Sequence, residues 1–536
     1  MVVLLGFCGF AVDISNWWLQ AQRQQRAADA AALAGVVFMP DSYSNAEAVA
    51  LSTASQNGYP SGSVGVSTTG RPTQLRVQVE RSVRNFFGSI LGVNTTRIRR
   101  SAVAEYQGSV PMGSPERYLG QDPDRNHLQR LWVNIAGKAA NKQSGDRYTA
   151  NGCGASAYLC GGGGNQEYLK DVDPATGNRT NEGYFFAIRV TSPGDLNVQI
   201  YDPAYISTGD TCTSNMPDAA TAATYVGPEF GDNPGQRYAG GNTIYCTGDQ
   251  DLNVGSGRPD TAYLVRAPDL TPWTELDNPV INTASCRPQN FRPVSANLAT
   301  LLPATNTSPD AVYVREVFHR WVTVCSIPNA PVGDYYLQVR TNHRPSNPAN
   351  RNIPVSEAVR YDPTVNTGGH NRFSIRVDGG TVGVFGSGRL PIYVNSNATT
   401  TPTFHLARVT PGGAQGRNLK LQFFDIGDVG NGSVTMRVIP PPDSNIGSNF
   451  SGCSYRVNGV SQGTTSTCTL ANMSGGSYQG GLVDVTIPIP NNYSCSYQTA
   501  TGCWVKVQMS FNSGATPTDT TTWTAAIDGD PVRLVE

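Results

Sequence analysis

The stretch AQRQQRAADAAALAG, residues 21–35, follows directly on MVVLLGFCGFAVDISNWWLQ, residues 1–20, and the way these two segments join decides how the chain begins. No proline occurs between Ile14 and Phe38, and Ala, Gln, Arg and Leu dominate, all favourable helix formers. One helix over about residues 2–38 is therefore expected, on the order of 55 Å long at 1.5 Å per residue. Along it Phe10, Ile14, Trp17, Trp18, Ala21, Ala28, Ala32 and Gly35 recur at helical spacing, a stripe that is bulky first and small afterwards. Small side chains let helix backbones approach closely. The stripe thus predicts a face that packs against neighbouring helices, first in lipid and then outside it. Gln22, Arg23, Gln25, Arg26 and Asp29 occupy much of the remaining surface, with Arg26 and Asp29 spaced to pair.

The apolar start is short. Twelve residues precede Asp13, about 18 Å of helix, whereas a bilayer core needs roughly 20 residues. The start also lacks the basic region and small-residue cleavage site of a secretory signal. Either Met1 is the end left by processing of a longer precursor, or the hydrophobic segment extends upstream of the sequence in hand. Both alternatives imply an export-competent helix whose apolar half needs lipid or protein around it.

The run GFAVDISNWWLQAQRQQRAADAAALAG resembles the N-terminal segment of TadE/TadG-like proteins of the tight-adherence, Flp-type pilus assembly system. In that family an apolar segment ends in an acid and is followed by Q-x-A-A-D-A-A-A-L-A. Asp13 matches the acid and Gln25 to Gly35 match the stretch, with Arg26 at the variable position. The resemblance covers about 40 residues. It departs from major type IV pilins at Leu5, where they carry a glutamate. It also stops short of the von Willebrand A-like domain of many TadG-like proteins, because the D-x-S-x-S metal motif is missing. It implies a bacterial pilin-like subunit that waits in the inner membrane and then joins a homo-oligomeric, helical filament at the cell surface.

Beyond the helix, Ser44 to Asn57 predicts a second helix closed by Gly58 and Pro60. Residues 63–83 predict two strands around a Gly-Arg-Pro turn, with Leu75, Val77 and Val79 alternating. Val83 to Leu91 suits a short helix, and Arg97 to Tyr106 a last strand with Ile98 and Val103 in the core. This α+β head, residues 40–108 after a helical segment 1–39, is pilin-like in outline.

From residue 109 onward the composition is that of a β protein. Over the whole chain Gly (57) and Pro (36) are abundant and only 15% of residues are charged, as expected for many short strands joined by turns. FFAIRVTSPGDLNVQIYDPAY (185–205) lines up with FHLARVTPGGAQGRNLKLQFFDIGD (404–428), and GDYYLQVRT (333–341) with GCWVKVQMS (502–510). The repeat predicts two β-sandwich domains, 109–345 and 346–536, divided by the proline-broken HRPSNPANRN. The whole is an α+β chain.

Cys8 stands alone in the apolar start, and the other ten cysteines all lie beyond residue 150, which implies disulfides and an oxidising compartment. Ten cysteines allow roughly 945 pairings. Neighbour pairing closes the shortest loops and joins Cys153 to Cys160, Cys212 to Cys246, Cys286 to Cys325, Cys453 to Cys468 and Cys495 to Cys503.

Chemistry is sparsely signalled. Lys+Arg 39 balance Asp+Glu 40, so no electrostatic footprint for nucleic acid exists. The five histidines include no HExxH, and no G-x-S-x-G, P-loop or dinucleotide fingerprint occurs. No enzyme and no cofactor is expected, apart from a structural Ca2+. Asp249, Asp251 and Asn253, and likewise Asp122, Asp124 and Asn126, place three oxygen ligands at alternate positions, as a hard cation requires. Asp171, Asp173 and Glu182 echo an EF-hand loop without its glycine. Aromatic pairs such as Tyr335-Tyr336 fit sandwich strands better than a sugar platform. The expected function is a structural filament subunit displaying disulfide-stapled sandwiches. The alternative is a membrane-anchored or pilus-tip adhesin in contact with a surface or a glycan.

Overall fold

A computed structural model describes residues 2–39, 42–71, 73–125, 127–154, 157–161, 164–169, 183–203, 237–238, 257, 259–269, 275–294, 298–394, 396, 401–512, 514–517, 519–529 and 531–535. The chain is α+β, and its contacts divide it into two units.

The first unit comprises Met1–Gly108, Pro411–Gln415 and Ile527–Glu536. Helix α1 spans Val2–Val36, and α2 spans Tyr43–Gln56. The Ser42 hydroxyl caps α2 by accepting from the Asn45 amide, which satisfies one of the free donors of the first turn. Strands β1 (Val64–Thr68), β2 (Gln74–Arg84) and β3 (Thr95–Tyr106) form an antiparallel sheet, and Val532–Leu534 pairs with the outer edge of β3. Ala27, Ala28, Ala31, Ala32 and Val36 of α1 pack with Ala46, Ala50 and Ala54 of α2 on Leu75, Val77, Val79, Ala102 and Ala104 of the sheet. Alanines on both helices let the axes come close. A Cβ on Gly35 would stand 2.6 Å from the Ala46 carbonyl and 2.7 Å from Leu75.

Three local expectations change. Residues 83–91 do not form a helix: β2 pairs with β3 as far as Arg84↔Thr95, which satisfies the backbone by extension, and only Gly88–Leu91 curls into a 3-10 turn. Ile98 is only half-buried, because the helix rests instead on the smaller Ala102 and Ala104. Asp29 takes the side-chain amide of Gln25 at 2.8 Å rather than Arg26.

The second unit comprises Ser109–Thr410 and Gly416–Ala526. The division expected at 345/346 coincides with no break in contacts, because strand His370–Ser387 lies along Tyr184–Tyr201 from Ser374↔Tyr201 to Gly386↔Phe186. The division expected at 39/40 likewise falls inside the first unit. The sequence repeat has a structural counterpart. Residues 184–190 pair with 333–339 while 194–201 pair with 321–330, and residues 403–408 pair with 504–508 while 418–424 pair with 482–488. In each copy the first segment pairs with the fourth and the second with the third. The first copy differs in running its two leading segments together as one strand, Tyr184–Tyr201, through the Pro193-Gly194 pair.

Disulfides join Cys153–Cys160, Cys286–Cys325, Cys453–Cys468 and Cys495–Cys503. Cys212 and Cys246 lie outside the described residues.

Candidate assembly surface on the N-terminal helix

The head covers α1 unevenly. Ala21, Ala28 and Ala32 are buried, and the latter two lie in the core shared with α2 and the sheet. This corrects the expectation that the small half of the stripe faces neighbouring helices. A bare alanine face is the shape that a two-layer head needs above it, and the chain's own α2 and sheet occupy it. The bulky half emerges. Phe10 is 55% exposed, Trp18 66%, and Ile14, Val12 and Leu19 are also exposed. At 100° per residue these five fall within an arc of about 200°, a broad apolar face whose opposite side, with Gly9 and Asp13, rests on the head.

Asp13 marks the changeover. Its side chain is 1% exposed. Oδ1 accepts from the Phe86 amide at 2.7 Å, and Oδ2 accepts from Phe87 at 3.0 Å and Gly88 at 2.7 Å. Burial pushes its carboxyl up, but the amides of Gly88, Phe86 and Phe87 prevail and hold it below the usual carboxylate range. Four residues on, Trp17 donates its indole N–H to Asn85 Oδ1 at 2.7 Å and meets the Phe10 ring edge-on at 6.2 Å. Asn85 in turn donates to the Val93 carbonyl and accepts from Thr96. Asp13 and Asn85 together fasten α1 to the turn after β2. Sequence reasoning picked Asp13 for its place at the end of an apolar run but missed Asn85 and the 86–88 amides. The available signal was the turn-forming Asn85 and Gly88 bracketing two phenylalanines.

Of the metal candidates, Asp122 and Asp124 lie among the described residues. Asp122 accepts from the Trp321 indole at 2.8 Å and pairs with Arg376 at 3.4 Å, and Asp124 pairs with Arg237 at 2.9 Å. Their countercharges are guanidinium groups, which corrects the reading of this segment as a cation loop. Asn126, the Asp249, Asp251 and Asn253 set, and Asp171, Asp173 and Glu182 lie outside the described residues. Among the described residues, the trio of ligand types close enough for one ion is Asp443, Cys495 and Cys503, and the two cysteines are joined as a disulfide, which removes their thiolates. Burial lowers His343 and His370 to about 3 and His405 to about 4, so these imidazoles are neutral.

The fold and this surface define an α+β protein that projects the apolar end of a long helix from a small head. The family described as "Putative Flp pilus-assembly TadE/G-like" matches residues 1–38. That segment is TadE/G-like, and it relates the chain to Tad pili through its first 38 residues. No curated protein matches the chain. A solved structure, the N-terminal CBM22-1-CBM22-2 tandem domain from Paenibacillus barcinonensis Xyn10C, aligns at 9% identity over 66% of this chain and 79% of that chain with a TM-score of 0.12, too low to carry an inference.

Proposed function

We propose that this chain is a non-catalytic structural subunit of a pilus, held at the membrane by the apolar end of α1 and polymerising through it. The observation that carries the reading is the division of one helix. Its alanine half is a keel inside its own head, and its bulky half, Phe10 to Leu19, is apolar, exposed and rigidly aimed by Asp13. Among the described residues no helix is long and apolar enough to cross a membrane. Burial of the exposed half, in lipid before assembly and among like segments after it, is favoured by about 25 cal/mol per Å² of apolar surface. The disulfide-stapled second unit is the displayed part.

The test is substitution on the exposed face. Ile14→Asp combined with Trp18→Asp is expected to leave a folded, monodisperse protein where the unaltered chain forms fibres by negative-stain electron microscopy. Fibres of unchanged appearance from the double variant would refute assembly through this helix.

A further inference from the structure

The turn that Asp13 grips has a surface of its own. After β2, residues 85–94 form the tip of the β2–β3 hairpin, and it is a built turn. Asn85 N–H donates to the Asn94 carbonyl, Val93 to Gly88 and Ile90 to Phe87, and the Ser89 hydroxyl donates to the Phe86 carbonyl. Its outward side chains are nevertheless almost all apolar: Phe86, Phe87, Ile90 at 78% exposed, Leu91 at 84% and Val93. A rigid turn with five exposed large apolar residues is not an ordinary solvated loop, since contiguous apolar patches on soluble surfaces mark contacts.

Behind the tip the charge is one-sided. Residues 80–100 contain Arg81, Arg84, Arg97, Arg99 and Arg100 against Glu80 alone, a net +4. Arg84 lies in the last strand pair before the tip, and Arg97, two residues behind it, about 7 Å at 3.3 Å per residue, shares Glu80 with Arg99, which leaves the group net positive. Apolar residues in front and arginines one step behind match the layering of an anionic bilayer surface, hydrocarbon first and phosphates next.

The level of the tip on α1 supplies the third observation. The amides of residues 86–88 sit on Asp13, and the Phe87 ring covers Gly9, where a Cβ would stand 2.7 Å from it. The apolar helix from Val2 to Cys8, the part beyond the Phe87 ring, therefore extends about 10 Å past the tip, roughly a third of a bilayer core. With that segment in lipid, the tip meets the interface beside Trp17 and Trp18, residues that favour that depth.

We infer that the β2–β3 hairpin tip, Phe86 to Val93, is a second membrane contact that enters the interface of an anionic bilayer alongside α1. The inference rests on the reading above that the apolar end of α1 is held in lipid, and it adds a lipid preference and an orientation. The tip and the helix, joined at Asp13, fix the head at two points, so the head cannot swivel freely about a single anchor.

The experiment uses the full chain with an environment-sensitive fluorophore either on native Cys8 or, in a Cys8→Ser background, on Ile90→Cys. Vesicles are phosphatidylcholine with or without about one-third phosphatidylglycerol. The expected result is a blue shift of both labels on the anionic vesicles. Ile90→Asp with Leu91→Asp should lower partitioning at least about tenfold, on the scale of one buried leucine, and Arg84→Gln about fivefold, the share of one basic residue. A label at Cys8 that enters lipid while the label at position 90 stays aqueous overturns the inference and leaves the helix reading standing. If neither enters, both fail. Shielding of position 90 that grows with protein concentration in vesicle-free buffer also overturns it, in favour of a second copy of this chain.

Discussion

Asp13 is a carboxylate taken out of water and given three amide donors in exchange. A carboxylate with a depressed pKa contributes its stabilisation above the unfolded value of 3.8 and loses it as pH falls through the folded value. Hydrogen exchange at the amides of Phe86, Phe87 and Gly88 should therefore show protection that persists at mildly acidic pH. Asp13→Asn should weaken it at every pH, and unchanged exchange in that variant would remove Asp13 from its role as a clasp. Glu167 shows the opposite situation, an anion on which buried cations depend. It pairs with Lys142, which is fully buried, and with Arg147, each at 2.7 Å. Glu167→Ala strands those charges and should destabilise the second unit by about 3–5 kcal/mol, measured by denaturant unfolding; a loss under about 1 kcal/mol would show the network to be solvated. At this scale the sequence was partly legible. Asp13 stands out because an acid ends an apolar run. Its donors lie 73 to 75 residues away, and no local pattern announces a contact of that separation.

Among the elements, α1 was the most legible, since thirty-odd residues without proline and rich in alanine admit few alternatives. Its partners were not. A stripe of alanine and glycine fits another subunit's helix or the chain's own α2 equally well, and sequence periodicity cannot choose between them. The structure assigns Ala28, Ala32 and Gly35 to the intramolecular contact. Gly35→Leu should therefore force α1 away from Ala46 and Leu75 and cost the first unit about 1–3 kcal/mol, read from the thermal transition of the isolated chain under non-assembling conditions. An effect on assembly with none on that transition would return the stripe to an interface between copies. The strand repeat was legible as alternating apolar segments. That both copies use the same nested pairing, and that strand His370–Ser387 continues across the expected division, depends on long-range pairing that one strand's pattern does not encode.

At the scale of the whole molecule, one buried acidic group sets the second unit's response to pH. Asp425, Asp428 and Asp519 come from segments nearly a hundred residues apart. Burial, and then the neighbouring Asp428, raises Asp519 to about 8 and Asp425 well above its usual range, while burial raises Asp428 to about 6. Folded carboxyls with raised pKa values stabilise fully below the unfolded value near 3.8, and that contribution is lost as pH rises through 6 and 8. The melting temperature of the second unit should fall between about pH 5 and about pH 8.5, and Asp519→Asn should flatten that slope. A melting temperature that climbs across the same window would contradict the assignment. The sequence contains these acids in plain view, FFDIGD and the lone Asp519, but only the fold brings them together.

The central claim is that the exposed half of α1 is the assembly surface while its alanine half remains inside its own head. Helical reconstruction of the filament tests this most directly. The account predicts Phe10, Ile14 and Trp18 enclosed by the same segment of neighbouring copies, with Ala28 and Ala32 still seated on α2. Filaments in which Phe10, Ile14 and Trp18 face solvent, or in which Ala28 and Ala32 have left α2 for another subunit, would contradict it.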